Sequence, residues 1–239
     1  MVDHAVIPGD FALSLPYTTV VLAMSADGKI ADVNRAPARF GSEIDRSHLE
    51  IQIAQSDAVL FGAGTLRAYG TTLKVAHSDL LAQRHHAGKP AQPVQIVCSR
   101  SANLDPTYRF FSQPVPRWLL TTQMGAELWR DREEFEKILT AGSKAIDWLS
   151  AFEQLFDLGC ARLAVLGGGE LVSSLFAANL IDELWLTICP LILGGAQAPT
   201  PVEGVGFSTT IAPRLDLIEA QTIAQEVFLH YRVNRYPSF

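Results

Sequence analysis

Residues 162–172, Arg162-Leu-Ala-Val-Leu-Gly-Gly-Gly-Glu-Leu-Val172, predict a buried strand (163–166), a turn of three glycines and a helix (170–178). Glycine allows a positive φ and leaves no Cβ in the way of a ligand that approaches the backbone. The free N–H groups at the start of the helix suit a phosphate or pyrophosphate. A strand-to-helix turn can also need glycine for packing alone. The stretch lacks the spacing of a Rossmann fingerprint and the lysine of a P-loop, so it indicates a different nucleotide-binding fold.

Composition limits the class of protein. The chain has 239 residues, of which 48% are hydrophobic and 18% charged, enough apolar material for a sizeable core. The net charge of −6 without a basic block makes nucleic acid a poor partner. No apolar run reaches the ~18 residues of a membrane span. The three scattered cysteines have no metal-ligand spacing and predict buried thiols in a reducing cytoplasm.

The order of apolar runs and helical patterns predicts an α/β domain with a mostly parallel central sheet and antiparallel strands at its C-terminal edge. We expect an N-terminal arm over residues 1–16 and a single domain over residues 17–239. Strands are predicted at 17–24, 58–61, 94–98, 117–122, 163–166, 181–188, 213–221 and 224–234. Helices are predicted at 43–55, 125–139, 148–158 and 170–178, and a long polar loop is predicted at 70–93.

One acidic residue stands out in the first predicted helix. Ser42 is a good N-cap, and Asp45, Leu49 and Ile53 recur every four residues on one helix face. Because Leu49 and Ile53 are apolar, that face points inward and carries Asp45 toward the interior or a cleft. The alternative is a surface aspartate that stabilises the helix dipole.

Two further segments carry chemistry. Gly62-Ala-Gly-Thr65 is a second glycine turn between a strand and a short helix. Ser99-Arg100 follows the next strand, where a hydroxyl and a guanidinium can hold a phosphate or simply form a polar turn. The adjacent histidines His85 and His86 have no third ligand at a suitable spacing, so we predict no metal site.

Five segments in order along the chain resemble one protein family: residues 22–31, 54–65, 99–100, 165–171 and 181–195. The chain resembles the reductase domain of the bifunctional riboflavin-biosynthesis deaminase–reductases, in the dihydrofolate-reductase-like superfamily. The resemblance implies a dihydrofolate-reductase-like three-layer fold, NADPH as cofactor and pairing into a homodimer.

The resemblance also implies residue roles. The glycine turns would hold the cofactor pyrophosphate, Ser99 and Arg100 would meet the 2′-phosphate, and Ala23 would lie against the nicotinamide. The positions that correspond to the cofactor site are Ala23, Gly62, Gly64, Thr65, Ser99, Arg100, Gly167, Gly168, Gly169, Glu170 and Leu171. The catalytic candidates are Asp45 and Asp27, and the substrate side corresponds to Lys29, Ile53, Leu73 and Leu166.

The sequence departs from the family at the substrate side. Members that reduce the phosphoribosylamino-uracil carry a lysine, two arginines and an acid at positions that are Val21, Ile53, Ala76 and Leu166 here. Each charged hydrogen bond lost in this way is worth roughly 1.5–3 kcal/mol. Arg46, Arg67 or Lys74 are the candidates that could replace them.

The sequence therefore predicts an NADPH-dependent reductase similar to 5-amino-6-(5-phosphoribosylamino)uracil reductase of riboflavin biosynthesis. A dihydrofolate or pteridine reductase is the second hypothesis, which Asp45 and the missing charges favour. A non-catalytic NADPH-binding protein and a purely structural domain are the two hypotheses that involve no catalysis.

Overall fold

The computed structural model describes residues 14–234. Most of the predicted arm at 1–16 lies outside them. The strands are β1 (Tyr17–Ser25), β2 (Ala58–Gly62), β3 (Val94–Cys98), β4 (Arg117–Thr121), β5 (Lys137–Thr140), β6 (Arg162–Val165), β7 (Glu183–Cys189), β8 (Arg214–Ile223) and β9 (Glu226–Asn234). The helices are α1 (Glu43–Gln55), α2 (Ala63–Tyr69), α3 (Ser78–His86), α4 (Gln123–Glu127), α5 (Trp148–Asp157) and α6 (Gly169–Ala177), with a 3₁₀ turn at Arg109–Ser112.

The nine strands of the described chain form one sheet in the order β5-β4-β3-β2-β6-β1-β7-β9-β8. Neighbours from β5 to β7 are parallel, whereas β9 pairs antiparallel with both β7 and β8. The predicted fold class, mostly parallel with antiparallel C-terminal strands, is confirmed. The strand β6 lies between β1 and β2, which places its glycine turn at the centre of the sheet.

Helices cover both faces of the sheet and give it three layers. Side chains alternate along each strand, so Leu60 packs into one apolar cluster while Val59 and Phe61 pack into the other. The first cluster includes buried residues of α5 and α6, and the second includes buried residues of α1 and α2. Because the central strands are apolar on both faces, they need cover on both sides.

The predicted helix at 125–139 is wrong. The helix α4 ends at Glu127, and residues 137–140 form the edge strand β5 beside β4. Trp129 and Phe135 are both buried between these elements, and the Trp129 indole N–H donates to the Ala102 carbonyl at 2.7 Å. Six residues apart on a helix, these rings would lie on faces about 120° apart, so one continuous helix could not bury both against the same surface.

The predicted loop at 70–93 is also wrong in part, because α3 lies within it. Arg84 of this helix is 2% exposed. Its guanidinium donates to the carbonyls of Ala54 and Ser56, both at 2.7 Å, and to that of Pro90 at 2.8 Å. Burial of the charge is thus compensated by carbonyl acceptors, two of them distant in sequence.

The C-terminal edge of the sheet is unusual. All ten residues of β8 are exposed, including the apolar side chains of Leu215, Leu217 and Ile218.

Within residues 14–234 no helix is long and apolar enough to cross a membrane. The cysteines Cys98, Cys160 and Cys189 are free and buried, which confirms the prediction of buried thiols.

Candidate active site

A cleft of about 760 Å³ opens at the carboxyl ends of β1, β6, β2 and β3. Ligands of open α/β sheets bind at this edge, because the loops that follow parallel strands converge there. Both glycine turns, the residues after β3 and the start of α1 line the cleft. It therefore brings together all of the sequence-predicted cofactor residues, together with Asp45 and Leu166.

The turn between β6 and α6 forms the floor of the cleft. Gly167 adopts φ +93°, and a Cβ there would lie 3.1 Å from Cδ2 of Leu22, so a larger residue fits poorly. The peptide bond between Gly167 and Gly168 is cis. Gly168 is the N-cap of α6 and has no side-chain cap, so the first N–H groups of the helix are left for a ligand.

The second turn, between β2 and α2, lies directly against the first. The Gly62 N–H donates to the Gly167 carbonyl at 2.9 Å, which fixes the two turns relative to each other. The Thr65 hydroxyl faces Gly168, 3.7 Å from the position of a Cβ there. A Cβ at Gly64 would meet no atom within 4 Å, so this backbone is open to the cleft.

Gly169 is a glycine for a different reason. A Cβ there would lie 2.3 Å from the Thr200 carbonyl oxygen and 2.7 Å from Cγ of Glu203. The Gly169 carbonyl also accepts the Glu203 N–H at 3.2 Å. Gly169 lines the cleft, but packing against the 200–203 segment already explains why it has no side chain.

The residues after β3 bring a cation to the cleft. The Ser99 hydroxyl, 5% exposed, accepts the Ala102 N–H at 3.0 Å, so it already shapes its own turn. The Arg100 carbonyl accepts from the Thr122 hydroxyl at 2.9 Å. Within the described residues the Arg100 guanidinium has no hydrogen-bond or ion-pair partner. Arg67 also lines the cleft and donates to the Asn103 carbonyl at 3.2 Å.

Asp45, on the first turn of α1, also lines the cleft. Burial raises the pKa of its carboxyl, the Thr187 hydroxyl opposes that rise, and the charge of Glu226 adds to it. A Cβ on Gly41 would lie 2.2 Å from Asp45 Oδ2, so the carboxyl is packed against bare backbone. The prediction that this face of α1 points into a cleft matches this geometry.

The other catalytic candidate, Asp27, does not line the cleft. Its carboxylate accepts from the Ser25 hydroxyl at 2.6 Å and from the N–H groups of Leu193 and Gly194 at 3.1 and 2.7 Å. These bonds lower the pKa of Asp27 to about 2, and the bond from Ser25 contributes most. Asp27 thus holds the turn after β1 against residues 193 and 194, so we interpret it as a structural residue.

Three predicted substrate residues also lie outside the cleft. Ile53 is 0% exposed in the core, so no substrate can touch it. Leu73 packs against the same core cluster. Lys29 reaches toward the Ala198 carbonyl at 3.5 Å. Leu166 does line the cleft. Of the proposed replacements for the missing charges, Arg67 lines it, whereas Arg46 and Lys74 do not.

Sequence reasoning missed the rim of the cleft. Arg35 forms a 2.8 Å ion pair with Glu203 across two loops, and the Tyr69 hydroxyl donates to the Ala38 carbonyl at 2.9 Å. Trp148, at the start of α5, also lines the cleft. These residues belong to loops or to helix ends, where no periodicity of the sequence identifies them. The glycine and the proline within residues 31–41 indicate only that this segment is irregular.

The sequence matches the RibD C-terminal domain family over residues 16–229. The chain belongs to this family. The resemblance seen in the sequence is thereby confirmed, and the reductases of this family use a nicotinamide cofactor.

Curated relatives agree with that assignment. The chain is 31% identical to the 2,5-diamino-6-ribosylamino-4(3H)-pyrimidinone 5′-phosphate reductase of Archaeoglobus fulgidus, over 80% of this chain and 88% of the relative. It is 30% identical to the reductase of the same name from Methanothermobacter thermautotrophicus, over 91% and 98%. The prediction of a reductase similar to those of riboflavin biosynthesis is confirmed by these relatives.

Solved structures support the fold. A pyrimidine reductase-like protein from Corynebacterium diphtheriae superposes with a TM-score of 0.79 at 22% identity, covering 92% of this chain and 93% of the other. The riboflavin biosynthesis reductase of Saccharomyces superposes with a TM-score of 0.67 at 17% identity, covering 92% and 90%.

The cleft fits a nicotinamide dinucleotide. Two helices start at adjoining glycine turns without side-chain caps, which leaves N–H donors for a pyrophosphate. Gly64 leaves room against the backbone, and Arg100 supplies a cation that no described residue pairs with. Within residues 14–234 no group of three or more metal-ligating side chains comes together.

Proposed function

We propose that this chain is an NADPH-dependent reductase that acts on a ribosylamino-pyrimidine phosphate of riboflavin biosynthesis. One observation carries the proposal: a single cleft is lined by a pair of uncapped glycine turns and by the half-buried carboxyl of Asp45. A reductase needs both, since the cofactor must be held at a fixed distance from a proton source.

The cofactor would lie across the turns. The N–H groups at the start of α6 and the Thr65 hydroxyl would hold the pyrophosphate, and Arg100 would meet the adenosine 2′-phosphate. Ala23, near the end of β1, would lie against the nicotinamide. When bound, the nicotinamide supplies a hydride from its C4 to a C=N or masked C=O bond of the substrate.

Asp45 would handle the proton. Hydride addition to carbon leaves charge on the attached nitrogen or oxygen, and a proton completes the reduction. Because its pKa is raised by burial, Asp45 keeps a proton at a pH where an ordinary aspartate has lost it. A protonated carboxyl also donates to a ring nitrogen while it accepts from the adjoining amino group, a pattern found in aminopyrimidines and pterins.

The identity of the ring is the finer part of the proposal. The relatives from Archaeoglobus and Methanothermobacter are named for the 2,5-diamino-pyrimidinone phosphate, so that compound is our first choice, ahead of the deaminated uracil. A pteridine such as dihydrofolate is the second candidate. It is favoured because the positions of the family's substrate-side charges are apolar here, and because Arg35 of the cleft lining is already paired with Glu203.

We further propose a cytoplasmic homodimer. The three free thiols support a reducing compartment. The exposed apolar strand β8 has an edge that no described strand pairs with, and a second copy of the chain would cover it.

The test is oxidation of NADPH, followed at the nicotinamide absorbance, with the diamino-pyrimidinone phosphate, its deaminated form and dihydrofolate offered separately. We expect turnover of the diamino compound. Asp45→Asn should lower kcat by about 100-fold or more, the usual contribution of a proton donor, without weakening NADPH binding. The surface variant Asp131→Asn is the matched control. Full activity of Asp45→Asn would exclude the proton role, and turnover of dihydrofolate alone would select the pteridine candidate.

A further inference from the structure

A second carboxyl lies behind Asp45, outside the cleft. Glu226 begins β9 and is 3% exposed. It accepts the Ser42 N–H at 2.9 Å, the Ser42 hydroxyl at 2.5 Å and the Cys189 thiol at 3.5 Å. Burial of a carboxyl to this degree costs free energy unless the carboxyl is hydrogen-bonded, and these three bonds offset that cost.

These bonds lead to Asp45 through the cap of α1. The Ser42 hydroxyl accepts the N–H groups of Ile44 and Asp45 at 3.1 and 3.2 Å. A serine hydroxyl has one proton, and here that proton points at Glu226. Glu226 therefore fixes the cap, and the cap fixes the backbone that carries Asp45.

Glu226 also acts on Asp45 through its charge. The carboxyl of Glu226 accepts from three donors and has no acceptor opposite it among the described residues. A nearby negative charge disfavours ionisation of a carboxyl, so Glu226 favours the protonated form of Asp45. The direction of the Asp45 pKa, raised by burial and then by Glu226, agrees with this assignment.

The other groups around Asp45 stay neutral. Burial, and then the charges of Glu226 and Asp45, raise the pKa of the Cys189 thiol to about 12. Burial also raises the pKa of Tyr69 on α2. Thr187 on β7 contributes only a hydroxyl. Glu226 is thus the charged group whose loss would change Asp45 most.

We propose that Glu226 is a positioning residue of the reductase: through Ser42 it sets the cleft-facing carboxyl of Asp45, and its negative charge favours the protonated form of that carboxyl. This inference rests on the proposed function, because it gives Asp45 its protonated form at the place where the substrate needs a proton.

The first experiment measures Asp45 directly and needs no substrate. In full-length protein with ¹³C-labelled aspartate carboxyls, the Asp45 signal is assigned by its loss in Asp45→Asn and then titrated with pH. We expect the wild-type midpoint above the ordinary aspartate value and a lower midpoint in Glu226→Gln. Glu219→Gln, which removes the same charge from the exposed strand β8, should leave the midpoint unchanged.

The second experiment follows turnover against pH. The alkaline limb of kcat should move to lower pH in Glu226→Gln, while the affinity for NADPH stays the same. Ser42→Ala breaks the link to the helix cap but keeps the charge, so it should lower kcat at every pH and leave the limb in place. A variant that acted through general loss of structure would instead weaken NADPH binding as well.

The outcomes separate the two proposals. An unchanged Asp45 midpoint in folded Glu226→Gln overturns the inference even if the protein reduces its substrate. A shifted midpoint without any turnover keeps the inference about the carboxyl pair and overturns the reductase. Should Glu226→Gln not fold, a wild-type Asp45 midpoint at or below the ordinary value overturns the inference on its own.

Discussion

Gly64 offers a substitution that the fold should accept and the cofactor should not. It is the second residue of α2, lines the cleft, and has no atom within 4 Å of the position of a Cβ. Replacing glycine by alanine in a helix stabilises it by up to ~1 kcal/mol. For a domain of this size that corresponds to a rise in Tm of at most about 4 °C. We therefore expect Gly64→Ala to be folded and at least as stable as the wild type.

Binding should change in the opposite direction. A methyl group at Gly64 would occupy the space in which the proposed pyrophosphate would lie against the turn, and we expect it to cost at least one charged hydrogen bond. Such a bond is worth roughly 1.5–3 kcal/mol, which corresponds to an increase in the Kd for NADPH of about 10- to 150-fold. Tryptophan fluorescence quenching or calorimetry measures this Kd, and thermal unfolding measures the stability of the same samples.

The contrasting control is Gly169→Ala. Its Cβ would lie 2.3 Å from the Thr200 carbonyl oxygen, so this variant should lose Tm before any ligand is added. If Gly64→Ala bound NADPH as tightly as the wild type, the cofactor could not lie against the second glycine turn, and the placement proposed above would be refuted.

Three further predictions concern other parts of the molecule. Arg100→Gln should weaken NADPH far more than NADH, measured as the ratio of the two Kd values; an unchanged ratio would remove the 2′-phosphate contact. The Asp27 carboxylate, whose folded pKa of about 2 lies below the ordinary 3.8, stabilises the fold above pH 3.8 and loses that effect as pH falls through 2. Asp27→Asn should accordingly lower Tm at neutral pH and flatten its decline in acid, whereas an unaltered Tm profile would contradict the structural role. Leu217→Asp, at a side chain 56% exposed on β8, should yield monomers in sedimentation if a second copy covers this strand; a monomeric wild type would disprove the homodimer.

The parts of the fold that the sequence predicted are those in which local signals agree. The strands β1, β2, β3 and β6 are short apolar runs that end at turn residues, and α5 is an amphipathic stretch closed by Gly159 with φ +85°. These elements need no knowledge of distant partners. The glycine turn of β6 and the cap of α1 were predictable for the same reason.

The elements that were predicted wrongly are those in which contacts distant in sequence override the local pattern. The helix α3 buries Arg84 because carbonyls of Ala54 and Ser56, at the end of α1, accept its hydrogen bonds. The charged stretch after α4 turns back because Trp129 and Phe135 pack against each other. Neither the carbonyl partners of Arg84 nor the pocket of the two rings can be identified from residues nearby in the sequence.

The two halves of the candidate site also differed in how far the sequence could predict them. The cofactor half was predictable because backbone turns dominate it, and glycines mark such turns in any sequence. The substrate half depends on side chains from separate loops, and the family pattern was a poor guide: Ile53, at a position expected to touch substrate, is wholly buried. The importance of Glu226 could not be seen without the structure, since its partner Ser42 lies at the other end of the chain.

The position of β6 has a consequence for how the protein is made. This late strand inserts between β1 and β2, which are synthesised first and cannot pair with each other in the native order. The nascent chain emerges from the ribosome N-terminal end first, so the early strands must wait with exposed edges until β6 arrives. Gly62 meets Gly167 only at that moment. A dinucleotide in this cleft would therefore bind only after β6 has inserted, and its binding would protect the contact between the two glycine turns.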